Sequence, residues 1–185
     1  QLDFLVVEVT SKNILKGMYT DVLFDSGVIT NVVGNEEFYE TWRHYASTKF
    51  DFVKMIDNDG LVVINGEDAD VVQWFSEKAH LIKPNVYCYW VTTEELENKY
   101  HSIDSLAFTT KDGHEIQVGL TGFHNHLNAY LAVRLCLKYL SMEKIKTALK
   151  TFTNVAGRMD LLQTNPNTII IDSGDSPYVI NRSLR

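Results

Sequence analysis

The chain has 185 residues, 45% of them apolar, enough to fill a core of ordinary density in one large domain or in one domain plus part of another. Seventeen Lys+Arg against 24 Asp+Glu leave a net charge of −7 with no long basic cluster, so nucleic acid is not expected as a partner. The longest apolar runs, Phe4 to Val7 and Val86 to Val91, are far shorter than the roughly 20 residues a bilayer demands, and Gln1 opens no secretory pattern, so no membrane contact and a cytoplasmic location are expected.

The chain alternates short apolar strands with helices. Phe4 to Val9 is apolar on consecutive positions, as in a strand covered on both faces. Val22 to Phe24 and Val28 to Thr30 form one further strand or two short ones, and a long helix is expected from about Glu36 to Ile56. Strand Leu61 to Ile64, a helix from Asp68 to Lys78 and strand Val86 to Val91 complete a βα alternation. The fold class this predicts is α/β, with a mainly parallel sheet flanked by helices. Cys88 and Cys136 lack metal-ligand spacing and sit among apolar neighbours, so they read as reduced core thiols.

After Thr92 the texture changes. Leu106 to Thr109 and Ile116 to Leu120 flank Lys111-Asp-Gly113, a hairpin turn signal, so a small antiparallel appendage is expected. Two helices follow, His126 to Leu140 and Met142 to Phe152, the second capped by Ser141. Asn154 to Asn167 is rich in turn formers and leads to a last strand, Thr168 to Asp172, with another helix starting at Pro177.

Ligands of open α/β sheets gather at the carboxyl ends of the strands, so polar residues there are the candidates. Glu8 is one: it could contribute to a Mg²⁺ site or simply face water. Lys49 lies on a helical stripe with Phe38, Trp42, Tyr45, Phe52 and Ile56, where an ammonium must reach the helix edge, pair with an acid or lose its charge. Asn125 and Asn128 open a helix after Gly122 and could cap it or meet a ligand. Arg158, next to Gly157, could address a phosphate or stand in water. Asp172 begins a polar loop into a helix start, a usable nucleotide contact or a plain turn. The sequence contains no HExxH zinc pattern and no G-x-x-x-x-G-K-[ST] phosphate loop.

Taken in order, these segments resemble the Mur ligase family, most closely its UDP-N-acetylmuramyl-tripeptide synthetase branch. Leu5-Val-Val-Glu-Val-Thr-Ser11 is similar to that family's E-V-S-S strand end, and Val28-Ile-Thr-Asn31 to its T-N strand end. Tyr45-Ala-Ser-Thr-Lys49 resembles the helix bearing a carbamoylated lysine, and Ile64-Asn65-Gly-Glu-Asp68 the I-N-x-D-D turn. Gly122-Phe-His-Asn125 with Asn128 resembles the G-x-x-N-x-x-N helix start, Ala156-Gly-Arg158-Met-Asp the G-R-M-E stretch, and Ile171 to Pro177 the place of D-Y-A-H-x-P.

The resemblance implies an ATP-dependent amide ligase of cell-wall peptidoglycan synthesis. Such an enzyme adds an amino acid to a UDP-muramyl-peptide-like carboxylate through an acyl phosphate. It implies Glu8 and carbamoylated Lys49 as holders of Mg²⁺, Asn125, Asn128 and Asp172 near ATP, and Arg158 toward phosphate, with Lys49 and Arg158 as the catalytic pair. Residues 1–162 would be the central domain without its upstream phosphate-loop segment, and 163–185 the linker and first β-α unit of a truncated C-terminal domain. The family histidines expected at Lys12 and Asp175 are absent, and Gly34-Asn35 replaces polar family residues. These departures motivate a second hypothesis, a catalytically decayed domain that serves as a binding or scaffolding module.

The chain on its own is expected to bind ATP·Mg weakly or not at all, because no phosphate-cradling loop is present in it. Titration calorimetry giving a low-micromolar dissociation constant would contradict this.

Overall fold

The computed structural model describes residues 3–33, 39–153, 155–163, 167–173 and 180–181. The chain divides into two compact units, Gln1–Tyr89 and Trp90–Arg185, each described by itself.

The first unit opens with α1 (Ser11–Leu15), capped by the Thr10 side chain, which accepts from the Asn13 amide at 3.2 Å. Strand β1 (Phe24–Ile29) then pairs in parallel with β2 (Ile56–Asn65), with Ser26 opposite Leu61 and Ile29 opposite Ile64. Between them runs α2 (Trp42–Lys54), whose Thr41 cap accepts from the His44 amide. Helix α3 (Ala69–Glu77) starts at Asp68, which accepts from the Asp70 and Val71 amides, and β3 (Tyr87–Val91) joins the other edge of β2. Val62, Val63 and Ile64 are wholly buried, as the continuous apolar run requires of a central strand.

Helix α2 can lie close to β1 because Gly27 has no side chain. A Cβ built there would sit 2.3 Å from the Phe52 ring, far inside contact distance. The Phe52 ring also meets Phe24 at 5.5 Å between centroids, and Phe50 meets Phe75 of α3 at 5.2 Å, so aromatic side chains on α2 engage both neighbours.

The second unit holds an antiparallel sheet of β4 (Leu96–His101), β5 (Leu106–Thr110) and β6 (Glu115–Val118). The expected hairpin is its β5–β6 half, turned at Gly113 with φ +84°. Helices α4 (His124–Cys136) and α5 (Met142–Thr151) follow, and β7 (Asp160–Gln163) pairs antiparallel with β8 (Thr168–Ile171) in a separate two-stranded sheet.

Several expectations need correction. Phe4 to Val9 is not a strand: it has no ladder partner among the described residues, and Phe4, Leu5, Val6 and Val7 are exposed, Val6 at 94%. An apolar run marks a segment suited to burial, but a strand exists only when a neighbour completes its hydrogen bonds. Ser141 stands at the α5 cap without a side-chain cap bond. The stretch from Asn154 to Asn167 contains β7, and β4 went unread because its Leu96-Glu-Asn-Lys-Tyr-His101 pattern is mostly polar and exposed. Cys88 and Cys136 are free but half-buried rather than core, and burial pushes both thiols up. The helix expected at Pro177, the Phe38 position of the stripe, Gly34-Asn35 and Asp175 lie outside the described residues.

Substituting Gly27→Ala is expected to destabilise the chain by about 1–3 kcal/mol, the usual range for overpacking a filled contact. Urea unfolding of the two proteins measures the difference.

Candidate functional site

In the first unit, Glu8 and Lys49 are held by different local devices. Glu8 lies in extended chain just before α1, its side chain exposed and its backbone oxygen accepting from the Tyr19 hydroxyl at 3.1 Å. Asn13 in turn donates to that hydroxyl at 3.4 Å, so the Glu8 backbone is tied to the cap that starts α1. Helix α1 packs against α2, which brings this segment toward Lys49.

Lys49 is half-buried on α2, with Nζ 5.5 Å from the centre of the Tyr45 ring. Tyr45 and Phe52 of its stripe are buried and Trp42 is half-buried, while Ile56, expected on the same helix, is the buried first residue of β2, so the side chain runs through an apolar setting with an aromatic face for its charge. Burial lowers its pKa from the ordinary 10.5, and the Glu8 carboxylate pulls the other way. No carboxylate of the described residues forms a direct ion pair with it. The coupling of Glu8 and Lys49 is therefore one of influence through charge.

The Asn65 turn performs a structural task that the motif pattern alone did not disclose. Its side chain donates to the Thr30 carbonyl at 2.7 Å, joining the ends of β1 and β2, and accepts from the Glu67 amide at 2.9 Å. The signal was in the sequence: an Asn at a strand end followed by an Asp cap.

In the second unit, Gly122 takes φ +91° immediately before α4, a left-handed turn that glycine adopts at little cost. Asn125 donates to the Thr121 carbonyl at 2.6 Å, and Asn128 donates to the Asn125 side-chain oxygen at 3.0 Å. Neither amide caps the helix in the usual sense of accepting from a backbone N–H, and the cap position, Phe123, makes no side-chain cap bond. The two form a hydrogen-bonded chain, with Asn125 half-buried and Asn128 exposed.

Arg158 and Asp172 meet around one turn. Arg158 is exposed and donates from Nη1 to the Ser173 carbonyl at 2.5 Å. Asp172 accepts from the Met159 and Ser173 amides at 3.2 and 3.0 Å, while Gly157, at φ +70°, donates to Asp160. The structure thus brings together Glu8 with Lys49, Asn125 with Asn128, and Arg158 with Asp172. Among the described residues, no three His, Cys, Asp or Glu side chains converge as a metal cage.

The model of the Mur ligase middle domain matches residues 1–136 of this chain, well over half its length. The chain belongs to the Mur ligase family. Curated relatives are UDP-N-acetylmuramoyl-L-alanyl-D-glutamate--2,6-diaminopimelate ligase 1 of Clostridium acetobutylicum, 22% identical over all of this chain and 39% of that protein, and UDP-N-acetylmuramate--L-alanine ligase of Campylobacter jejuni, 29% identical over 76% of this chain and 31% of that protein. The chain thus spans well under half the length of these relatives. MurF of Acinetobacter baumannii has the same fold at a TM-score of 0.73 and 17% identity, covering 86% of this chain and 36% of that one. Thermotoga maritima MurF in complex with ADP gives 0.72 at 17% identity, covering 90% and 40%. These likenesses establish the α/β fold of the Mur ligase middle domain. Among the described residues no helix is long and apolar enough to cross a membrane.

Because its folded value lies below its unfolded one, Lys49 carries a penalty at neutral pH that is relieved as pH rises toward 10.5. Lys49→Met is therefore expected to raise stability by on the order of 1 kcal/mol, or a few degrees in Tm. The gain should shrink as pH approaches 10.5. Thermal melts of both proteins across pH check this.

Proposed function

We propose that this chain is the central-domain part of an ATP-dependent amide ligase of peptidoglycan synthesis, acting on a UDP-muramyl-peptide-like carboxylate and an amino acid in the cytoplasm. The match of residues 1–136 to the Mur ligase middle domain carries the reading. In this reading residues 1–162 are the central domain and 163–185 the linker and start of the next.

Glu8 and Lys49 would hold Mg²⁺, Lys49 as its carbamate. The donor chemistry fits such a group: an exposed carboxylate lies within electrostatic reach of an amine whose burial already disfavours the ammonium. Mg²⁺ takes few protein carboxylates and fills its shell with water and phosphate oxygens, so a three-residue cage is not required. When bound, the ion offsets negative charge on the transferring phosphoryl group.

The chain's own side chains supply position. Asn125 and Asn128 would orient the nucleotide, with Asn125 fixed by Thr121 so that Asn128 is itself anchored. Arg158 would present its guanidinium to phosphate, and Asp172 holds the Met159 amide so that the Arg158 turn keeps its shape. In the absence of nucleotide Lys49 would remain an unmodified amine, coupled in charge to Glu8.

A second reading rests on the departures at Lys12, Gly34-Asn35 and Asp175, which favour a decayed domain that binds without turnover. The two separate cleanly in the full-length gene product, supplied with ATP·Mg, UDP-muramyl peptides and amino acids. The ligase reading expects phosphate release that depends on both substrates. Lys49→Ala and Glu8→Gln should each lower it on the order of 100-fold or more, the scale of a lost charge at a reacting centre. Absence of substrate-dependent release from a folded wild-type protein would leave the scaffold reading standing.

A further inference from the structure

We propose that His126 is a positioning residue that fastens the Asn125–Asn128 helix start to β4 through both ring nitrogens, and does so fully only when both carry a proton. The proposal rests on the reading of Asn125 and Asn128 as nucleotide-side groups for its consequence, though the fastening stands on geometry alone.

His126 is fully buried in the first turns of α4. Its Nδ1 lies 3.0 Å from the Phe123 carbonyl oxygen and its Nε2 lies 2.9 Å from that of Tyr100 on β4. Carbonyl oxygens only accept, so each contact is a hydrogen bond only when the ring nitrogen carries its proton. A neutral imidazole has one N–H and can complete one arm.

Both acceptors belong to residues already engaged by the backbone, Tyr100 opposite Ala107 in the β4–β5 ladder and Phe123 at the start of α4. The Phe123 oxygen also accepts from the backbone amide of His126 at 3.2 Å, so it retains a partner when Nδ1 gives up its proton. The neutral ring therefore completes one arm and leaves the other open. The Nδ1 arm braces Phe123, between the left-handed Gly122 and Asn125, whose own amide reaches back to Thr121.

Three rings lie against His126. Phe123 lies 5.4 Å away and Phe108 of β5 6.1 Å, both tilted. The titratable neighbour on β4 is His101, edge-on at 6.1 Å. Beyond Phe108, Tyr130 of α4 donates to Glu95 at 3.2 Å.

Long-range proton–nitrogen NMR on the histidine-labelled 185-residue chain, from about pH 8 to about pH 5, the span in which imidazoles change charge, tests the proposal directly. The expected result is a single ring N–H in the neutral form and protons on both nitrogens in the charged form, each bonded to its carbonyl. The Asn125 and Asn128 side-chain amide signals should move with the same midpoint. His101→Gln should preserve that titration, and His126→Phe should abolish it. A His126 ring that stays one neutral tautomer throughout, or asparagine signals that ignore its titration, would overturn the proposal. Wild-type spectra decide the matter even if His126→Phe does not fold.

In the full-length gene product the KM for ATP should fall roughly fivefold as the clamp closes, about the worth of one hydrogen bond, with kcat moving less. A titrating clamp with a flat KM would support the fastening and count against the nucleotide reading of Asn125 and Asn128.

Discussion

The first unit depends on one close approach. Gly27 lets the Phe52 ring rest against the backbone of β1, and this seats α2 at a distance no other residue would permit. Lys49 lies one helical turn earlier, so the same contact fixes how deeply its stem is embedded and which way its amine can reach. The Thr10 cap and the Tyr19 hydroxyl set the course of the Glu8 segment. The proposed metal side is therefore built from a glycine, an aromatic ring and a short capped helix, none of which would touch a ligand.

The second unit uses a different strategy. Here side-chain amides and an imidazole carry the constraint: Asn128 on Asn125, Asn125 on Thr121, His126 between two carbonyls. Directional bonds of this kind specify an orientation where apolar packing specifies only a location. The segments just before β7 and just after β8 extend the pattern, with Asp172 gripping the Met159 and Ser173 backbone amides beside Arg158.

Much of this architecture could be read from the sequence because local signals and long-range order agree. Asp68 before an amphipathic run marks the start of α3, Lys111-Asp-Gly113 marks a turn, and the consecutive apolar residues of Leu61 to Ile64 mark a buried central strand. What escaped is what depends on partners. Phe4 to Val9 has the composition of an inner strand and, among the described residues, no ladder beside it. Strand β4 has the composition of a loop and is a strand because β5 pairs with it. The lysine at position 49 stood out because a charge interrupts an apolar stripe, whereas His126 gave no such warning: a histidine in a helix start is unremarkable until both its nitrogens are found facing acceptors. The asparagines were recognisable as a pair, but that they donate to one another and to Thr121 instead of capping the helix could not be read from spacing.

The setting of Lys49 also bears on its reactivity. Carbon dioxide adds to a neutral amine and not to an ammonium, so any environment that makes the proton costly enlarges the fraction able to react. The apolar packing that penalises the charged side chain is thus what would ready it for capture of a small, uncharged electrophile. The Glu8 carboxylate works against this by favouring the proton, and would repel the carbamate once formed. A divalent cation placed between them reverses both effects at once. On the proposed reading the fold would set two negative groups, one permanent and one acquired, whose coexistence would be conditional on a metal, so the modification would report on occupancy of the site.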